Sequence, residues 1–267
     1  MTARKFPALD DFRLVAAVLV VVIHTGPLTS LAPAADFWLA RVLARVAVPF
    51  FLMVSGYFLA SADWKPLRRF WLHTALVYLA AVLLYLPLNL YTGDSVFAWL
   101  RGLVWEGTAY HLWYFPALLW GVLLARVLAR LGTPAALSAA GVLYLIGLGG
   151  DSYFGLVTRL PAVAQGYSLL FPLSEYTRNG LFYAPLFLLL GAALAERTVP
   201  ASRRGSALGL ATSLLAMTVE AFWLRGLSVQ RHDSMYLLLP VCMIFLFRLL
   251  LSCNAGRDRM ARDLALL

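Results

Sequence analysis

The sequence predicts an all-α protein: a polytopic transmembrane helical bundle of about eight spans, with both termini cytoplasmic. Three observations predict it. Of 267 residues, 62% are hydrophobic and 13% charged, and the mean hydropathy is +0.79; soluble domains run nearer half apolar and a quarter charged. The apolar residues gather into runs close to the ~20 residues that carry a helix across a ~30 Å hydrocarbon core, without the alternating pattern of a membrane barrel. A helix satisfies its own backbone in hydrocarbon, so helices are the solution that remains. Lysine and arginine, finally, alternate in density from one loop to the next.

The runs fall at about 12–30, 37–59, 70–90, 110–131, 134–149, 180–195, 206–224 and 235–252. The first follows a short polar stretch, MTARKFPALDDFR, and has no small-residue cleavage site after it, so it reads as a retained helix and not a signal peptide. The second carries Ser55-Gly56, a small-residue pair that lets helices approach closely. The fifth and sixth are short for a full crossing and are expected to extend into their loops or to be shielded by protein. Between them, Gly150–Asn179 is too rich in glycine, proline and aromatics for a disordered loop and is expected to pack over the bundle or re-enter it. Trp99, Trp105, Trp113 and Tyr114 cluster near one interface, as an aromatic belt does.

Charge orients the bundle. Thirteen basic residues fall on one side: Arg4, Lys5, Lys65, Arg68, Arg69, Arg126, Arg130, Arg197, Arg203, Arg204, Arg257, Arg259 and Arg262. Five fall on the other: Arg101, Arg159, Arg178, Arg225 and Arg231. Cytoplasmic loops carry the excess. The same placement in short loops accounts for the net charge of +9 without nucleic acid as a partner. Cys242 and Cys253 lie eleven residues apart on one predicted helix and cannot bridge each other; neither a disulfide framework nor a metal motif is present. The chain reads as a single membrane domain over residues 1–267, with no repeat and no soluble domain.

The candidate site begins in the first run, where ten uncharged residues separate Arg13 from His24. Eleven steps at about 100° bring the two side chains to within ~20° of one face, roughly 16 Å apart along the axis. An ionisable residue inside a membrane span is a functional candidate by default. One reading has Arg13 snorkelling to the headgroups and His24 bonded to a backbone carbonyl. The other makes His24 a general base and Arg13 an anion clamp. Arg41 and Arg45 lie one turn apart and either snorkel or face inward. Arg68 and Arg69 either flank a span or, beside Arg13, form a basic mouth suited to a phosphorylated cytoplasmic ligand such as coenzyme A. On the opposite side, His111, Arg178, Asn179 and Asp233 are candidates for a pocket. So are Ser55, through its hydroxyl, and Glu220, which either pairs near Arg225 or lines the pocket. His232 and Asp233 are adjacent in sequence, which does not make them a dyad.

The R-x10-H element followed by FFLMVSG resembles the acyltransferase-3 family of membrane acyltransferases. Longer strings are similar to one branch of it, the membrane domain of VanT-type serine/alanine racemases: DDFRLVAAVLVVVIH, RVAVPFFLMVSGY, HLWYFPAL, LYLIGLGGDSYFGL, RNGLFYAPLFLLLGA and HDSMYLLLP. The resemblance covers Asp10 to Phe247. It implies a multi-pass protein of the bacterial plasma membrane that moves an acyl group, other than an aminoacyl group, from cytoplasmic acyl-CoA to a hydroxyl on a cell-envelope glycan. His24 would be the catalytic base, Arg13 a donor contact, and Arg68 and Arg69 a looser match to the family's basic stretch. Partners would be the lipid bilayer, acyl-CoA as co-substrate and a small-molecule or glycan acceptor, with no permanently bound cofactor. The VanT branch implies an alternative, an L-serine supply module for a glycopeptide-resistance system, with a separate racemase as partner. The chain has two departures from the pattern. The racemase portion is absent, and Lys5 and Lys65 are badly placed for a pyridoxal phosphate Schiff base. The family's last pair of about ten helices is replaced by NAGRDRMARDLALL, so the domain is expected to be shortened at its C-terminal end.

Overall fold

The computed structural model describes residues 6–92, 95–196 and 202–264, and among these there is helix and turn but no strand. Arg4, Lys5 and Arg197 of the charge count lie outside the described residues. The helices are α1 (Pro7–Thr25), α2 (Pro33–Arg41), α3 (Ala47–Ser61), α4 (Leu67–Thr92), α5 (Val96–Arg101), α6 (Tyr114–Ala129), α7 (Thr133–Gly149), α8 (Phe154–Val157), α9 (Pro161–Leu170), α10 (Ala184–Glu196), α11 (Arg203–Leu227) and α12 (Leu239–Leu264). Each apolar run predicted as a span contains helix, although α1 stops at Thr25 within the first run and α12 starts at Leu239 within the eighth. The stretches Pro33–Ser61, Leu67–Tyr91, His111–Ala129 and Arg203–Leu227 are long and apolar enough to cross a membrane; Thr133–Gly149, Ala184–Glu196 and Leu239–Cys253 are shorter apolar helices.

Local chemistry sets the ends of α1. Pro7 stands in its first turn, where a missing N–H costs nothing. Gly26 closes it in the left-handed region at φ 51°, its N–H returning to the Val22 carbonyl. Asp36 then fastens the turn, accepting from the Leu28 N–H at 2.8 Å and the Thr29 hydroxyl at 2.9 Å.

The second run departs from expectation. It is two helices, α2 and α3, joined by a 3-10 turn at Leu43–Val46. Pro49 explains the break. In a continuous helix its ring would strike the carbonyl of Arg45, and it has no N–H to bond that carbonyl. The helix restarts at Ala47, which leaves Pro49 in the first turn of α3, where it is tolerated.

The chain divides into two compact units, residues to Phe51 with Arg197–Trp223 and Tyr236 onward, and Leu52–Glu196 with Leu224–Met235. In the first, α1 packs against α2, the 3-10 turn and α12. Phe50 is fully buried with its ring 4.8 Å from Phe12 and 6.3 Å from Phe247, and Trp38 donates to the Thr218 hydroxyl at 3.2 Å. In the second, α6 packs against α4, α7 and α10. The approach of α3 to α10 is set by two glycines: a Cβ on Gly56 would collide with the Leu188 backbone, and one on Gly191 with the Met53 backbone. The Ser55-Gly56 pair is thus a close-packing element, as its small residues imply.

The segment Gly150–Asn179 folds back into the second unit, as expected of so apolar a connection. It contains α8 and α9, and Asp151 and Ser152 are fully buried. Asp151 Oδ1 accepts from the backbone N–H of Ser234 at 2.8 Å and of Met235 at 3.0 Å. Tyr167 donates to the Ile146 carbonyl at 2.6 Å, and burial raises its phenol pKa, which keeps the donated proton in place.

Candidate functional site

On α1, Leu9 and Ala16 are fully buried and define the packed stripe. Leu14, Val15, Val18 and Val21 are exposed and lie, at about 100° per residue, roughly opposite that stripe. Arg13 and His24 sit about 50° and 70° from the stripe's centre, between it and the apolar exposed face, with the exposed Ala17 about 20° from His24. Arg13 is partly buried and ion-paired with Asp10, one turn earlier. His24 is exposed, and its Nδ1 lies 2.7 Å from the Val20 carbonyl oxygen. A carbonyl oxygen only accepts, so Nδ1 carries the proton, and in the neutral ring Nε2 holds the lone pair.

Elsewhere in the first unit, Glu220 is buried and its carboxylate accepts from the backbone N–H of Leu237 at 2.6 Å and of Leu238 at 3.1 Å. These are orphan donors at the entry to α12. The charge that the sequence offered to a pocket caps a helix across the fold, where a carboxylate also suits the helix dipole.

The remaining candidates belong to the second unit. Arg68 and Arg69 are exposed in the first turn of α4. Ser55 shares a hydrogen bond with Tyr114. His111 is exposed, its ring 4.8 Å from that of Tyr85. Arg178 is buried at 5% exposure; its guanidinium lies 4.4 Å from the Tyr176 ring and 5.1 Å from the Trp113 ring, and Nη1 donates to the Ser234 hydroxyl at 2.9 Å. Asn179 builds the turn into α10: Oδ1 accepts from Leu181 and Phe182 N–H, and Nδ2 donates to the Ser174 hydroxyl and the Tyr176 carbonyl. Asp233 is partly exposed beside Ser234. Arg178 and Asn179 thus share one strap, which meets the 232–234 loop, while His111 and Ser55 stand on their own helices.

Sequence reasoning passed over three groups. Asp10 was visible as an i,i+3 partner in DDFR. Glu106, after α5, pairs with Arg101 at 3.7 Å and accepts the Glu175 N–H, and Arg101 donates to the Pro172 carbonyl at 3.2 Å, so the pair ties down the strap. No spacing signals that contact. Asp151 stood inside a glycine-rich string and gave no sign of its burial.

The fold and the α1 edge define a helical protein of membrane composition with an arginine and a histidine along one edge of its first helix. The acyltransferase domain profile of the acyltransferase-3 family matches residues 6–267, and the chain belongs to that family. It is 42% identical over 267 residues to a serine/alanine racemase of Enterococcus gallinarum, covering 95% of this chain and 38% of that protein. It is 38% identical over 271 residues to an amino-acid racemase of Enterococcus faecalis, covering 98% of this chain and again 38% of the relative. The chain thus spans well under half the length of these curated relatives, in keeping with similarity to the membrane domain of VanT-type racemases. No solved structure matches.

Proposed function

We propose that this chain is an integral membrane O-acyltransferase that moves an acyl group from cytoplasmic acyl-CoA to a hydroxyl on a cell-envelope glycan, in a bacterial plasma membrane that it crosses about eight times with both termini cytoplasmic. The observation that carries this reading is the α1 edge in a chain of this family. Its imidazole donates Nδ1–H to a carbonyl, which makes Nε2 the basic nitrogen, and a guanidinium stands eleven residues earlier on the same helix. His24 Nε2 takes the proton from the acceptor hydroxyl. Arg13 holds a donor phosphate by its fork, and the exposed Arg68 and Arg69 of α4 are a second candidate for binding a donor phosphate. No permanently bound cofactor is required. The test is thermal: coenzyme A added to the detergent-solubilised protein raises the unfolding midpoint, by ~2.7 kcal/mol of linkage at a hundredfold excess over Kd. An unmoved midpoint at millimolar coenzyme A overturns the reading.

A second reading is favoured by the printed names of the relatives. A domain that supplies L-serine to a racemase, whether fused or separate, would also match a racemase over 38% of its length. Labelled serine taken up by proteoliposomes, with no coenzyme A protection, would select it.

A further inference from the structure

Arg45 lies inside Pro33–Ser61, the most buried of the four long apolar stretches among the described residues, at 7% exposure, in the 3-10 turn that interrupts it. The turn's neighbours Ala44 and Val46 are buried too, and the turn packs against α1 and α12. Interrupted helices at membrane depth persist where protein covers them or where they line a polar path, and a mid-helix 3-10 stretch often marks a functional place. A guanidinium kept there is costly and stays charged.

Its level along α1 follows from two anchors. Asp36 meets the Leu28 N–H at 2.8 Å near the far end of α1, and Phe50 meets Phe12 at 4.8 Å near its start. The segment from α2 to α3 therefore runs antiparallel to α1, and Arg45 falls about level with Val18. That is midway along the interval from Arg13 to His24.

We propose that Arg45 is a third catalytic residue of this site and binds the thioester carbonyl oxygen of the acyl donor; this rests on the acyltransferase reading above. As His24 Nε2 takes the acceptor proton, the acceptor oxygen's lone pair forms the new C–O bond to the carbonyl carbon. The C=O π pair moves onto oxygen, where the guanidinium N–H groups of Arg45 hold the charge. The C=O then re-forms and the C–S bond breaks. Sulfur leaves with that electron pair and takes the proton from the imidazolium, giving ester and free thiol. Arg13 anchors the donor at one end of the path, His24 acts at the other, and Arg45 stabilises charge between them.

The experiment measures thiol release from acetyl-CoA, with a chito-oligosaccharide as hydroxyl acceptor, by the full chain in proteoliposomes. Arg45→Gln is expected to lower kcat by ~10²–10³-fold, as the loss of an oxyanion donor does, with KM for acetyl-CoA and thermal protection by coenzyme A unchanged. A purely structural arginine would lose protection and kcat together, which overturns the proposal. If Arg45→Gln does not accumulate, Arg45→Lys decides: it keeps the charge without the fork, and kcat drops at least ~10-fold. Wild-type kcat in Arg45→Lys overturns the role of Arg45 and leaves the acyltransferase reading standing. A wild-type chain that protects with coenzyme A but releases no thiol overturns both.

Discussion

A histidine becomes a useful base when one nitrogen is spoken for, and the Val20 carbonyl at 2.7 Å does that for Nδ1 of His24. His24→Ala is expected to reduce acyl transfer by ~10²–10⁴-fold, the usual contribution of a positioned base, with membrane content equal to wild type by quantitative blotting. Undiminished turnover removes His24 from the mechanism. Arg13 is held differently. Its pair with Asp10 is partly exposed, 43% and 59% for the two side chains, so solvent screens the attraction and the pair is worth little to stability. It does lower the charge available to a donor phosphate. Asp10→Asn is therefore expected to tighten coenzyme A binding by about two- to five-fold, the equivalent of ~0.4–1 kcal/mol for an exposed pair, read by titration calorimetry. Weaker binding would show that Asp10 positions Arg13 and does not restrain it.

Helix contacts are decided by groups too small or too remote to stand out in a sequence. Gly191 on α10 meets the Met53 backbone so closely that no Cβ fits, whereas nothing lies within 4 Å of a Cβ on Gly141 of α7. Gly191→Ala is expected to lower stability by at least ~1–3 kcal/mol through overpacking, and Gly141→Ala to be neutral or to stabilise by up to ~1 kcal/mol through helix propensity. Thermal midpoints in detergent compare them, and equal midpoints would mean that α3 and α10 are not packed as described. Much of this scale was legible: each helical run showed in hydropathy, and Ser55-Gly56 announced a close approach. The break at Leu43–Val46 was legible in principle from Pro49, but hydropathy does not fall there, so a period-based reading runs through it. The roles of Glu220 and Asn179 were not legible. Their partners are backbone N–H and carbonyl groups, which every residue except proline supplies alike, so a sequence shows the acceptor but not what it caps. Arg13 and His24 were legible because both sit on one helix, where spacing alone sets the face; the level of Arg45 beside them depends on a tertiary turn.

At the scale of the whole chain, lipid takes the place of water as the solvent of the exposed apolar surface, and orientation becomes a property of the charged loops. Thirteen lysines and arginines lie on one predicted side and five on the other. Each loop-flanking cation resists translocation, so an excess of eight, spread over every alternate loop, should hold one topology. With eight crossings, the loops carrying Lys65 and Arg130 share a side with both termini, and those carrying Arg101 and Arg159 share the other. Single cysteines placed at these four positions, in a background with Cys242 and Cys253 replaced by alanine, read this directly in intact cells. Arg101→Cys and Arg159→Cys are expected to react with an impermeant maleimide from outside. Lys65→Cys and Arg130→Cys are expected to react only after the membrane is opened. The short helices α7 and α10, at 17 and 13 residues, make this more than a formality. If α7 fails to cross, Arg159→Cys exchanges sides and the labelling pattern reports it; Arg225→Cys, added to the set, reports α10 in the same way. The site's chemistry follows the same geometry. Reactivity of Lys65→Cys from outside would put Arg68 and Arg69 away from any cytoplasmic donor, and the donor role of that basic turn would fall with it.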